Sequence, residues 1–269
     1  SGYLANIGVI PALVGKGDLI IADKLVHACL IDGAKLSGAE FKRFKHNDVA
    51  HAKELLEKHS KDYRHCLMLT DTVFSMDGDK APITDLEALA DGYDSWLLSD
   101  DAHGLGIIDV PAVSSPNHLR MGTLSKAVGV YGGYVCGSQE IIDYVVTAAR
   151  SGVFSTALPP MVVAAALASL TIMDETPTLK EKPLLLARMF AKALELPEPE
   201  STIVPLVLGS EEEALEASAK LEEAGFLVSA IRPPTVPAGT ARLRFTFSTL
   251  HEEQDIVRLI SHCKKLKTI

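Results

Sequence analysis

At 269 residues, with 47% hydrophobic and 23% charged side chains, the chain has the balance of a globular protein with room for one large domain and a smaller one. A net charge of −9 and the lack of any long Lys/Arg run exclude a general nucleic-acid binder, which needs a basic surface to displace counterions from phosphates. Cys29, Cys66, Cys136 and Cys263 lie far apart with no CxxC pair and no Cys/His cluster, so neither a disulfide framework nor a metal site is expected. The apolar stretch 161–173 is too short to span a bilayer, and no signal-peptide pattern opens the chain, so the expected home is the cytoplasm.

In chain order, the first residues run straight into a helical pattern with Leu4, Ile7, Ile10 and Leu13 on one face, and a helix N-terminus there offers free N–H groups to an anion. Leu19 to Ala22 reads as a short strand, followed by a helical segment carrying His27 and an extended run from Phe41 to Phe44. Asp48 to Ser60 reads as an amphipathic helix with Asn47 as its cap. Cys66 to Thr70 is a buried strand ending at Asp71, Ile83 to Ala90 a helix, and Trp96 to Asp100 the next strand. Arg120 to Thr123 and Tyr134 to Cys136 are weaker ones. Strands alternating with helices predict a mostly parallel sheet covered on both faces, with ligands at the carboxyl ends of its strands. The helical region from Met161 to Leu196 passes through Pro177 and Pro183, so it must be at least two helices. Beyond it come strands at Ile203 to Leu208, Phe226 to Ile231 and Arg242 to Phe247. Ser210 and Glu213 fit a capping box opening a helix closed by Gly225, and a last helix runs from about His251 to Leu266. The expected division is a large α/β domain over 1–174 and a smaller α+β domain over 175–269.

Chemistry concentrates in two stretches. Lys126 is walled in by small residues in GTLSKAVG, where something must approach the backbone closely, and Thr123 and Ser125 add hydroxyls suited to phosphate oxygens. Asp100 and His103 follow an apolar strand in DDAHGLG, and one turn after a strand brings both side chains to one cavity. A lysine, a carboxylate and phosphate donors are what an aldehyde cofactor held as a Schiff base requires. Each residue has a plainer account when taken alone. A lone aspartate at a strand end caps a turn, a histidine on a partly apolar helix is packed, and the Ser75 hydroxyl bonds local backbone. Arg232 and Arg244 could be ordinary surface cations, yet both sit on stiff backbone, one before Pro233-Pro234 and one in an alternating strand.

These runs, together with SGYLANIGVI at the start, VFSMDGD at Val73, STALPP at Ser155 and IRPPTVPAGTARLRF at Ile231, resemble the α-oxoamine synthases over essentially the whole chain. Those are pyridoxal-phosphate enzymes on the fold-type-I aminotransferase scaffold, and members carry a substantial region ahead of the position of Ser1. The resemblance implies that Lys126 is the Schiff-base lysine and proton-transfer base, and that Asp100 pairs with the ring nitrogen. It implies that His103 and Ser75 address the ring hydroxyl and that His27 stacks on the ring. Gly2, Tyr3 and Thr123 would hold the phosphate, with Ser155 or Thr156 reaching the phosphate of a neighbouring subunit in a homodimer. Arg244 would bind the amino-acid carboxylate, and Arg232 would help to recognise substrate. Within the family the IRPPTVPAGTARLR run favours condensation of L-alanine with a pimeloyl thioester in biotin biosynthesis. The alternatives are a sister reaction of glycine with acetyl- or succinyl-CoA, or a non-catalytic truncated paralogue.

Overall fold

A computed structural model describes residues 1–110 and 112–266, which fall into two compact units. The first holds Ser1–Phe74 and Lys80–Glu175, and the second holds Ser75–Asp79 and Thr176–Ile269.

The first unit is built on a six-stranded sheet. In chain order its elements are α1 (Gly2–Leu13), β1 (Leu19–Asp23), α2 (Ala28–Ser37), β2 (Glu40–Phe44), α3 (Val49–His59), β3 (Cys66–Asp71), α4 (Ile83–Gly92), β4 (Trp96–Asp100), β5 (His118–Thr123) and β6 (Gly133–Cys136). Then follow α5 (Gln139–Ala148), α6 (Arg150–Val153) and α7 (Pro160–Glu175). The strand order is β2-β1-β3-β4-β5-β6, and all neighbours are parallel except the β5–β6 pair. Strands β1 and β3 are apolar over most of their length because they are buried on both faces, whereas β2, at the edge, carries Glu40, Lys42 and Arg43.

Alternation along each strand sorts the core into two layers. Ile20, Leu67, Leu69, Leu98, Leu119 and Met121 pack with α1, α2 and α5, while Leu19, Ile21, Met68 and Leu97 pack with α3 and α4. Each fully buried aliphatic side chain contributes about 1.5–3 kcal/mol relative to exposure.

Several expectations change in the structure. The buried stripe of α1 is Asn6, Val9, Ile10 and Leu13, while Leu4 is exposed, because Asn6 turns inward to meet a polar partner. His27 does not ride on a helix but caps α2, its ring accepting the Cys29 amide. Asp48, not Asn47, caps α3. Asn47 sits at φ 54° and spends its amides on Asp23 Oδ2 and the Lys80 carbonyl. Helices α5 and α6 were not anticipated.

The second unit continues with α8 (Glu181–Ala193), β7 (Ile203–Gly209), α9 (Glu211–Glu223), β8 (Ser229–Ile231), β9 (Ala241–Thr246) and α10 (Glu253–Leu266). The strands form an antiparallel sheet in the order β7-β9-β8, and Phe190, Phe245 and Phe247 cluster in its core at ring separations of 4.6 and 5.4 Å. Pro177 opens a short 3₁₀ turn and Pro183 lies in the first turn of α8, where a missing N–H costs nothing. The capping box of Ser210 and Glu213 is present. Strand β8 starts three residues later than the sequence implied. The Phe226 amide bonds the Leu221 carbonyl to close α9, with Gly225 at φ 91°, and so cannot join a sheet. Arg242 ties Ser75–Asp79 to this unit by pairing with Asp77, Arg244 Nη1 donates to the Ser75 carbonyl at 3.1 Å, and Ser201 Oγ donates to the Gly78 carbonyl at 2.7 Å.

Candidate active site

The alternation that builds the core also aims the site. In β3, β4 and β5 the residues that continue the α1/α2 face past the last apolar position are Asp71, Asp100 and Thr123, all at carboxyl ends, with Asp71 and Asp100 in register. They line a cavity of about 220 Å³ together with Gly2, Tyr3, His27, Cys29, His103, Ser125 and Lys126, all in the first unit.

Asp100, 4% exposed, is the anionic wall. Its Oδ1 accepts the Ala102 amide at 2.9 Å and its Oδ2 accepts Asn6 Nδ2 at 2.8 Å. Burial raises its pKa, while these donors, His27 and Lys126 pull the other way. Asp71 is also buried, and its Oδ1 accepts the His27 amide at 3.2 Å. Burial, and then the charge of Asp100, push Asp71 well above the usual carboxylate range. Of this adjacent pair, Asp100 has the more donors and is the better seat for a cation.

The opposite requirement, an anion seat, is met where α1 starts. Ser1 caps the helix by accepting the Leu4 amide at 3.3 Å, which leaves the first-turn amides of Gly2 and Tyr3 to point beyond the helix. Two close approaches bring this end against the hairpin. A Cβ on Gly2 would lie 3.1 Å from Thr123 Cβ, and one on Gly133 would lie 2.6 Å from the Ser1 carbonyl oxygen. Thr123 Oγ1 donates to the Gly132 carbonyl at 3.0 Å and lies 2.9 Å from Ser125 Oγ, so two hydroxyls stand beside the helix end. Tyr3 is held by a 2.8 Å hydrogen bond from its hydroxyl to Asp32 Oδ2.

Thus Lys126, Asp100, His103, His27, Gly2, Tyr3 and Thr123 come together. Ser75, Arg232 and Arg244 lie in the second unit. Ser75 is buried, Arg232 is exposed, and Arg244 is half-buried, its Nε without a hydrogen-bond partner among the described residues. Ser155 and Thr156 are exposed in the segment between α6 and α7 and do not line the cavity. Sequence reasoning missed Asn6 and Cys29 and gave Asp71 no role. A fully buried asparagine amid the apolar residues of α1 was the available signal for the first. The spacing of Cys29 two residues after His27 was the signal for the second.

A lysine and a well-hydrogen-bonded buried carboxylate in one cavity, beside a helix-end anion seat at the carboxyl edge of a mostly parallel sheet, place the chain on the fold-type-I scaffold. These residues fit the cofactor that the sequence implied: a cation seat at Asp100, an amine at Lys126, and hydroxyls and amides for a phosphate. The profile of class I and II aminotransferases matches residues 1–262, and the chain belongs to that family. More particularly, it is 54% identical over 265 residues to the 8-amino-7-oxononanoate synthase of Methylocella silvestris, covering 96% of this chain and 76% of that one. It is 53% identical over 275 residues to the enzyme of that name from Maricaulis maris, covering 99% and 70%. Among solved structures, serine palmitoyltransferase from S. paucimobilis superposes with a TM-score of 0.93 at 30% identity, covering all of this chain and 72% of the other. The 8-amino-7-oxononanoate synthase of Francisella tularensis gives 0.79 at 28% identity, covering all of this chain and 82% of the other.

Proposed function

We propose that this chain catalyses the decarboxylative condensation of L-alanine with a pimeloyl thioester, giving 8-amino-7-oxononanoate for biotin biosynthesis, with pyridoxal 5'-phosphate as cofactor. One observation carries the choice of substrates: the 54% identity to the Methylocella silvestris synthase over 96% of the chain. The bound cofactor supplies an electron sink for negative charge at the amino acid's α-carbon. The residues supply position and electrostatics. Asp100 would hold a proton on the ring nitrogen by its charge. Gly2, Tyr3, Thr123 and Ser125 would receive the phosphate, His27 and His103 would hold the ring, and Lys126 Nζ would take and return the α-proton. Arg244, and with it Arg232, would serve the substrate carboxylates, and Ser75 the ring hydroxyl. In the net reaction the α-carbon bonds the thioester carbonyl carbon, the C–S bond breaks to release a thiol, and the amino-acid carboxylate leaves as carbon dioxide with uptake of one proton.

The deciding experiment incubates the purified protein and cofactor with alanine and pimeloyl-CoA, glycine and acetyl- or succinyl-CoA, and serine and palmitoyl-CoA, reading products by mass. Product from the alanine pair is expected. Turnover with another pair and none with alanine would refute the substrate choice, and no product from any pair would favour a non-catalytic paralogue.

We further propose a homodimer in which Ser155 or Thr156 of one protomer reaches the phosphate seat of its partner. The sixteen-residue helix α7 supports this: it is largely apolar, yet Ala166 is its one buried residue. A cytoplasmic location is our reading as well. It is supported by four cysteines that are thiols rather than disulfides, three of them buried.

A further inference from the structure

We propose that Cys29 is a positioning residue that locks His27 as the neutral imidazole carrying its proton on Nε2. The argument begins with the backbone. The Cys29 amide lies 3.3 Å from His27 Nδ1, and an amide can only donate, so this long contact favours a lone pair on Nδ1 without fixing it. The Cys29 sulfur lies 2.9 Å from the same nitrogen. It also accepts Asn6 Nδ2 at 3.1 Å and lies 3.8 Å from Asp100 Oδ2. With Asn6 donating to the sulfur, the thiol hydrogen is left for Nδ1 or for Asp100. Nδ1 is nearer by about 0.9 Å, the difference between those two distances, and takes it. Two donors therefore converge on Nδ1, and the ring's own hydrogen must sit on Nε2.

The surroundings agree with this polarity. Cys29 is 2% exposed, and burial, with the charge of Asp100 adding to it, pushes its thiol up to about 12, so the hydrogen stays on sulfur. Burial also lowers the His27 pKa, with Lys126 acting in the same sense against Asp100 and Asp32. From β3, the Asp71 carboxylate accepts the His27 amide at 3.2 Å. The result is a histidine at the cavity wall that presents one fixed N–H donor at neutral pH, while its other nitrogen is held by the element it caps. The tautomer follows from geometry alone. Its use in orienting cofactor or substrate rests on the function proposed above.

The test is nitrogen NMR of histidine-labelled, cofactor-free protein titrated from pH 5 to 8, with His27 assigned by substitution. Wild type should show an unprotonated, pyridine-type Nδ1 and a protonated Nε2. Cys29→Ser, which keeps a hydroxyl donor, should retain that pattern. Cys29→Ala should admit the second tautomer and raise the His27 midpoint by about half a unit or more toward its ordinary value. A pyrrole-type Nδ1 in wild type overturns the proposal. So does a Cys29→Ala variant with unchanged tautomer and midpoint, since the amide alone would then set the ring. Because neither alanine nor thioester is present, a lock that holds in a protein forming no 8-amino-7-oxononanoate would count against the function only.

Discussion

The division of labour at the residue scale is sharpest between Lys126 and Asp100. Lys126→Ala removes the amine but leaves Asp100 and the proposed phosphate donors in place, so cofactor should still bind while turnover falls by several powers of ten. Loss of a general base alone typically costs about 10²–10⁴-fold. Asp100→Asn keeps the size of the side chain but removes the charge that, on the proposed function, would hold a ring-nitrogen proton. It also sets an amide NH₂ against the donors from Ala102 and Asn6, which lie at 2.9 and 2.8 Å. Exchange of the alanine α-hydrogen for deuterium should collapse in this variant while the protein still retains cofactor, as read from absorbance. Exchange at the wild-type rate would transfer the cation seat to another carboxylate. Asp101, buried beside Asp100 and raised by that burial to about 6, is the next candidate. Asn6→Ala should fall between wild type and Asp100→Asn in exchange rate, since it removes one of the two donors that favour the ionised carboxylate.

At the scale of elements, the side of the sheet facing away from the cavity carries its own polar array. His118 in β5 lies 3.0 Å from Glu87 Oε1 in α4, and Ser99 Oγ in β4 lies 2.8 Å from the His118 Nε2. Burial lowers the His118 pKa, so at neutral pH Nδ1–H donates to Glu87 and Ser99 donates to Nε2. Burial would raise Glu87, but hydrogen bonds from the Ser114 hydroxyl, the Ser115 amide, His118 and the Ser114 amide together bring it down to about 2. Both folded-state values lie below their unfolded ones, so both groups contribute stability above the unfolded pKa and lose it as pH falls. The window opens below about 6.5 for His118. For Glu87 it runs from 4.5 down to about 2. Glu87→Gln puts a donor among donors and should cost about 3 kcal/mol at pH 7, with a smaller difference at pH 3. Equal urea midpoints at pH 7 would contradict this account. None of this array was legible in the sequence, because it depends on which strands are neighbours, and strand order is not written in any one segment. The alternation of strand and helix, the strand-end positions of Asp71 and Asp100 and the capping box at Ser210 were legible because each is a local pattern. The N-cap roles of His27 and Asp48 were not. Capping turns on one residue's backbone angles, and the apolar periodicity that marks a helix is silent about where its first turn begins.

For the whole molecule, the open question is what covers α7 and the segment before it. Phe154, Met161, Leu167 and Ile172 are 73%, 72%, 62% and 55% exposed, an apolar run that monomers seldom leave to water. Stable homodimers bury about 1,600 Å² or more with apolar centres, and a helix with one buried residue in sixteen is suited to such a centre. Met161→Asp combined with Leu167→Asp changes only exposed positions. It should leave the fold intact by circular dichroism while converting a dimer to a monomer in sedimentation at micromolar concentration. Because the proposed dimer brings Ser155 or Thr156 to the partner's phosphate seat, the monomeric variant should also lose cofactor on dilution more readily than wild type. Ser155→Ala with Thr156→Ala should weaken cofactor retention without dissociating the dimer. That separates the two roles of the segment, one apolar and structural, the other a hydroxyl delivered across the interface. A wild-type protein that sediments as a monomer with full turnover would overturn both. A dimer whose cofactor retention is indifferent to Ser155 and Thr156 would leave the phosphate seat to Gly2, Tyr3, Thr123 and Ser125 of the same chain.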